Sequence, residues 1–394
     1  MNTVEKDKTY VASTYNRFPV VLKEGSGSVV YDENGKKYID LGTGIAVNTF
    51  GYSDKIWVEA VSKQAAALNH TSNLYYHGPC ASLAEMLCEK TGFKKVFFSN
   101  SGAEANECAI KAARKYAEDK KGSDCYNIIT LENSFHGRTI TTLAATGQEK
   151  FHKLFTPLTE GFLYVKPGDR EALANYISKG NVAAVMFELV QGEGGVMPLE
   201  KDFVDFIVKI CRENDVLVVC DEVQTGNGRT GALYCYQNYG FMPDIISTAK
   251  GLAGGLPLGA TLLGDKVKDV FSFGDHGSTF GANPVCCAGA LSVLSRLDEN
   301  VFEGVRKREN LIRDTLKDAK GISGVYGMGL MIGIEVACGG PKLAGALLEK
   351  GVLVLTAKNR LRLLPALNIP EDILLEALEI IKTTAAELCD TEAI

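Results

Sequence analysis

The chain has 394 residues, 46% of them apolar and 23% charged, a composition that suits two or three globular domains and excludes a disordered tail protein, a collagen-like repeat or a small disulfide scaffold. Forty-two Lys and Arg against 48 Asp and Glu leave a net charge of −6, which argues against nucleic-acid binding through a broad basic face. No apolar run reaches the roughly 18 residues of a membrane span, and the charged start MNTVEKDKTY lacks the apolar stretch of a signal peptide.

In chain order, residues 1–50 carry short alternating segments such as VVYDENGKKYIDL, in which Asn34-Gly35 predicts a two-residue hairpin turn. From about residue 51 helix and strand alternate: DKIWVEAVSKQAAAL and ASLAEMLCEKT are helical, KKVFFS is a strand, ANECAIKAARKYAEDKK a long amphipathic helix and NIITLE a strand. NVAAVMFELV, the helix DFVDFIVKICREN and the strand VLVVCDE follow. Strands apolar on both faces and separated by helices predict a mostly parallel sheet covered on both sides. After about residue 290 come two long helical patterns, GVYGMGLMIGIEVA, a helix, RLRLLPA and a last helix from Pro370, the pattern of a smaller α+β unit. The division is therefore an N-terminal segment 1–50, a large domain 51–290 and a C-terminal domain 291–394. Eleven cysteines with no Cys-x-x-Cys pair, many in apolar surroundings such as those of Cys108 and Cys220, predict reduced buried thiols and a cytoplasmic protein.

Four segments carry chemistry. VLVVCDE places Asp221 and Glu222 at the carboxyl edge of a parallel sheet, where open α/β sheets bind ligands, although Asp221 read alone serves equally as a turn cap. Lys250 follows the strand-like DIIST and precedes several glycines; a buried amine there has a lowered pKa and makes a Schiff-base nucleophile. The two lie 29 residues apart in sequence, about one strand-crossover-strand unit. Ser101-Gly102-Ala103 turns a strand into a long helix, whose N-terminal amides suit a phosphate. Phe135, at the end of NIITLE, can stack on a planar ring; its neighbour His136 has no second histidine at ligand spacing, so no metal site is expected. GNGRTG satisfies the dinucleotide pattern literally, but it follows its strand too late and opens no periodic helix; a nicotinamide dehydrogenase is thus a remote alternative. Lysine, aspartate, phosphate cradle and stacking aromatic together are what pyridoxal phosphate requires.

The motifs FFSNSGAEANE, SFHGRT, ELVQGEGG, DEVQTGNGRTG, AKGLAGGLPLGA and GSTFGANP resemble those of the class III, fold-type I pyridoxal-phosphate aminotransferases, and the likeness runs over essentially the whole chain. The resemblance implies an α/β fold with a seven-stranded, mostly parallel sheet in the large domain, a smaller C-terminal α+β domain and a homodimer sharing its active sites. It implies that Ser101, Gly102 and Ala103 hold the phosphate, Phe135 stacks on the ring, Val223 packs beneath it and Gln224 contacts the ring-hydroxyl side. Asp221 pairs with the pyridine nitrogen and Lys250 bears the cofactor. Thr279 and Ser278 come from the other subunit, Thr279 to the phosphate and Ser278 near the substrate. Arg138 binds a substrate carboxylate, Arg362 the 2-oxoglutarate α-carboxylate, and Glu193 neutralises Arg362 when that carboxylate is absent. The implied reaction moves the δ-amino group of N2-acetylornithine to 2-oxoglutarate, giving glutamate; ornithine, succinylornithine and 4-aminobutyrate are the alternative donors. One segment departs from the family pattern: Gly51-Tyr52-Ser53-Asp54-Lys55 stands where Gly-His-x-His-Pro is usual.

Overall fold

The computed structural model describes residues 1–391. Its centre is a seven-stranded sheet in the order Lys95–Ser99, Gly259–Leu263, Ile245–Thr248, Leu217–Asp221, Val182–Phe187, Asn127–Leu131, Phe162–Val165. Every pairing is parallel except the two made by Gly259–Leu263, which runs antiparallel to both neighbours. The inner strands Val182–Phe187, Leu217–Asp221 and Ile245–Thr248 are buried at every position, largely apolar but with Asp221, Ser247 and Thr248 buried at their carboxyl ends. The helix Gly102–Lys121 turns Ala105, Ala109, Ala112 and Ala113 to the sheet, and these small side chains let it lie close. Ser101 caps its first turn by accepting from the Glu104 amide at 3.2 Å, and Gly122 ends it. The helix Lys201–Glu213 covers the other side through Phe203, Val204, Ile207, Val208 and Cys211.

The C-terminal unit is an antiparallel sheet, Ile322–Met328, Met331–Val336, Arg360–Leu363, Leu355–Ala357, under the helices Glu299–Leu316, Gly340–Glu349 and Glu371–Thr391; residues 392–394 lie outside the described residues. The boundary expected at residue 290 falls inside the helix Pro284–Leu294, which packs whole against Lys55–Ala67 and Gly78–Thr91. The change of partners comes at Asp298, which caps the next helix. The N-terminal strands Leu22–Ser26, Val29–Asp32 and Lys37–Asp40 form a sheet with Val352–Leu353 of the C-terminal unit. The hairpin at Asn34-Gly35 exists, but its turn is longer than two residues. The Asp32 amide pairs with the Lys36 carbonyl, while the Asp32 carboxylate takes the Asn34 and Lys36 amides at 2.9 Å. Asp32 thus closes the loop early, and Gly35 supplies the left-handed residue.

The unusual Tyr52–Lys55 segment is tied down at Tyr52 and Asp54. Tyr52 bridges Gly27 through its backbone, and its hydroxyl donates to Asp40 at 2.8 Å. Asp54 caps the next helix and pairs with Arg296 at 2.9 Å. GNGRTG is a joint between domains. Asn227 donates to the carbonyl of Ala249 (3.1 Å), and the buried Arg229 donates to the carbonyls of Leu330 (3.1 Å) and Pro365 (2.5 Å). All eleven cysteines are free thiols, seven of them buried, Cys286 and Cys287 among these.

Candidate active site

The carboxyl ends of five strands and the antiparallel strand's start surround a cavity of about 490 Å³. Ser101, Gly102, Ala103, Phe135, Arg138, Asp221, Val223, Gln224 and Lys250 all line it, so nine of the residues singled out in the sequence meet in one place.

Asp221 is 4% exposed and closely held. Its Oδ2 accepts from His136 Nδ1 and from Asn106 Nδ2, each at 2.8 Å, and its Oδ1 accepts from the Val223 amide at 3.0 Å. A carboxylate only accepts, so Nδ1 carries the histidine proton. Asp221 thus caps the turn to Val223 and also lines the cavity. Three donors fill three of roughly four acceptor positions, leaving about one for a cationic N–H. Asn106, on the sheet-facing side of the long helix, is itself fixed by Ser247 Oγ at 2.5 Å and by the His136 carbonyl at 2.7 Å. Glu222, the other carboxylate of this strand end, turns the opposite way. It is buried and binds Thr225, the Cys235 amide and the Tyr236 amide, so it shapes the following loop rather than the cavity.

Lys250 has φ of +43°, a left-handed conformation that costs on the order of 1–3 kcal/mol for a residue with a Cβ. Its surroundings enforce it: Asn227 holds the preceding carbonyl, and Thr49 donates to the carbonyl of Gly251 at 2.7 Å. Burial, and then the charge of Arg362, bring the half-buried Lys250 ammonium down to about 8, with Asp221, Glu193 and Glu188 opposing.

Glu188 was not singled out in the sequence. Buried at the end of Val182–Phe187, it lines the cavity and accepts from the amides of Phe135 (2.9 Å) and Gly192 (3.3 Å). Burial holds its carboxyl well above the usual carboxylate range, against the pull of His136. Arg362, 5% exposed, lies behind Gln224: its Nη1 donates to Glu193 Oε1 at 2.6 Å and to Gln224 Oε1 at 3.3 Å. The pairing of Arg362 with Glu193 expected from the resemblance is thus present, with Glu193 the more exposed partner. Ser278 accepts from Asn100, itself on the cavity wall, at 3.0 Å, whereas Thr279 is exposed and outside the lining.

The residues fit pyridoxal phosphate. The first amides of the long helix, at Gly102 and Ala103, have no intrahelical acceptor and suit a phosphate. A Cβ on Gly102 would sit 2.6 Å from Val223 Cγ1, so a side chain here would fill the space beneath the ring site. Phe135 and Val223 offer apolar surfaces to a planar ring, and Asp221 keeps an acceptor for its nitrogen.

The sequence profile of the family described as aminotransferase class-III matches residues 10–385. An acetylornithine aminotransferase of Haemophilus ducreyi is 46% identical, covering 97% of this chain and 98% of its own, and one of Methanocaldococcus jannaschii is 44% identical, covering 96% and 97%. Among solved structures, an N-acetylornithine aminotransferase from Stenotrophomonas maltophilia superposes with a TM-score of 0.85 at 34% identity, covering 98% of this chain and all of its own. An ornithine aminotransferase from Toxoplasma gondii superposes with a TM-score of 0.94 at 31% identity, covering 99% and 95%.

Proposed function

The chain belongs to the class-III aminotransferases, and from that premise we propose that it moves the δ-amino group of N2-acetyl-L-ornithine to 2-oxoglutarate, yielding N-acetyl-L-glutamate 5-semialdehyde and L-glutamate. Pyridoxal 5'-phosphate is its cofactor and supplies an electron sink for the carbon that loses a proton. The observation that carries the reading is the Arg362–Glu193 ion pair beside Gln224, behind the wall that Lys250 and Asp221 share. The donor has no charge next to its reacting carbon, whereas 2-oxoglutarate has a carboxylate there. A bare buried Arg362 would penalise the donor, because an unpaired desolvated cation is costly. Glu193, the more accessible partner of the pair, neutralises it during the first half-reaction and swings aside for the second. Arg138 takes the distal carboxylate of either substrate. Lys250 moves the proton at the reacting carbon, and Asp221, fixed by His136 and Asn106, keeps the pyridine nitrogen protonated.

Stopped-flow measurement of both half-reactions tests this. Glu193→Gln should weaken the acetylornithine half more than the glutamate half, Arg362→Ala should show the opposite bias, and Arg138→Ala should harm both. Equal losses in both halves for Glu193→Gln and Arg362→Ala mean there is no switch. Steady-state specificity across acetylornithine, succinylornithine, ornithine and 4-aminobutyrate fixes the donor.

A second expectation concerns cofactor capture by the protein stripped of pyridoxal phosphate. Only a neutral amine attacks the cofactor's aldehyde, and Lys250 is brought down to about 8. The capture rate should therefore rise with pH through a midpoint near 8; a midpoint above about 10, the range of an ordinary lysine, contradicts the environment assigned to Lys250.

The site is completed in a homodimer, Ser278 and Thr279 of one protomer serving its partner. This is supported by the exposed Thr279 and by the exposed Leu74, Tyr75, Tyr76, Phe273 and Phe280. Asn73 ties two of these segments together by donating to the carbonyls of Ser278 and Gly281. Among the described residues no helix is long and apolar enough to cross a membrane, and the free thiols support a cytoplasmic location.

A further inference from the structure

Arg138 stands exposed at the cavity mouth, and among the described residues its guanidinium makes neither a hydrogen bond nor an ion pair. What holds it is aromatic: the guanidinium carbon lies 4.3 Å from the centre of the Phe151 ring and 5.5 Å from that of Phe135. The two rings meet edge to face, 5.7 Å apart at 71°. A second cation, Lys150, sits over Phe151 at 4.7 Å. The short segment that presents Phe151 is clamped at both ends. Gln148 donates to the Ser134 carbonyl at 3.0 Å, and His152 Nε2 lies 2.7 Å from the Thr146 carbonyl, which needs its proton there.

A long arginine facing water would sample many rotamers, and a substrate would lose affinity by having to order it. Stacking on a fixed ring removes that cost while leaving all five N–H donors free for a carboxylate. We propose that Phe151 is the positioning residue for Arg138, a shelf that aims the guanidinium at the substrate's distal carboxylate, and that Lys150 adds a second positive charge at the same mouth. The proposal rests on Arg138 being the carboxylate-binding arginine.

The test uses the holoenzyme and its amine half-reaction with three donors: acetylornithine, glutamate and butylamine, which has no carboxylate. Phe151→Leu should raise half-saturation about two- to fivefold for the two carboxylate donors, the scale of one cation–π contact at an exposed site, with limiting rates unchanged. It should leave butylamine untouched, and Phe151→Tyr, which keeps the ring face, should behave as wild type. Lys150→Gln should give a smaller loss that vanishes as salt is raised. An equal loss on butylamine would show that Phe151 merely packs and would overturn the proposal, as would unchanged half-saturation in Phe151→Leu. Arg138→Ala separates the two layers of the argument. If it weakens the carboxylate donors while Phe151→Leu does not, only the shelf is wrong. If Arg138→Ala spares them, the arginine's role falls and the shelf with it. With both correct, adding Phe151→Leu to Arg138→Ala has no further effect.

Discussion

Lys250→Ala is expected to lower transamination by on the order of 10⁴-fold or more while leaving the fold intact, because the group that moves the proton at the reacting carbon is gone. The left-handed backbone at this position is enforced by Asn227 and Thr49 from outside the side chain, so the loop should keep its course. Alanine retains a Cβ, so the conformational cost barely changes. The phosphate cradle at Gly102 and Ala103 does not depend on Lys250, so the variant should still take up the cofactor, now held without a covalent bond. Product formation on mixing with acetylornithine and 2-oxoglutarate is the measurement, with a thermal melt as the control for folding. A small added amine should restore part of the rate. Full turnover without it would sink the assignment.

Asp221→Asn should slow both half-reactions together, by about 30- to 1000-fold, the equivalent of roughly 2–4 kcal/mol for a charge-assisted hydrogen bond in a closed site. An amide cannot hold a proton on the ring nitrogen electrostatically, so the ring accepts electrons less well. The structure adds a second cost. Three donors converge on this carboxylate, from His136, Asn106 and Val223, and an amide has one oxygen for them and an NH₂ that opposes a donor wherever it points. Pre-steady-state rates with acetylornithine and with glutamate settle the matter, and unchanged rates in a folded variant would reduce Asp221 to a turn cap.

Asp221 and Lys250 were legible in the sequence because each follows an apolar strand of a parallel sheet, and the carboxyl edge of such a sheet is where chemistry collects. Glu188 follows the apolar run Val182–Phe187 in the same way, and the same rule points to it. Asn106 left a weaker signal, one amide on the alanine face of a helix, and only the third dimension shows that this face meets Asp221. Glu222 shows the rule's limit. A side chain one position further along points to the other side of the sheet, and sequence alone does not tell which of two adjacent carboxylates faces the ligand. The helix and strand order was visible because the periods are strong. The turn at Asn34-Gly35 was misjudged in length because the Asp32 carboxylate, rather than the Asn-Gly pair, closes it.

The joint made by GNGRTG ties the two substrate-facing regions mechanically. Asn227 grips the carbonyl just before Lys250, and Arg229, two residues on, grips that of Pro365, three residues after Arg362. Three consecutive residues therefore link the backbone beside Lys250 to the backbone beyond Arg362. The grip is made to buried neutral carbonyls, so dissolved salt has little purchase on it, unlike the exposed ion pairs elsewhere on the surface.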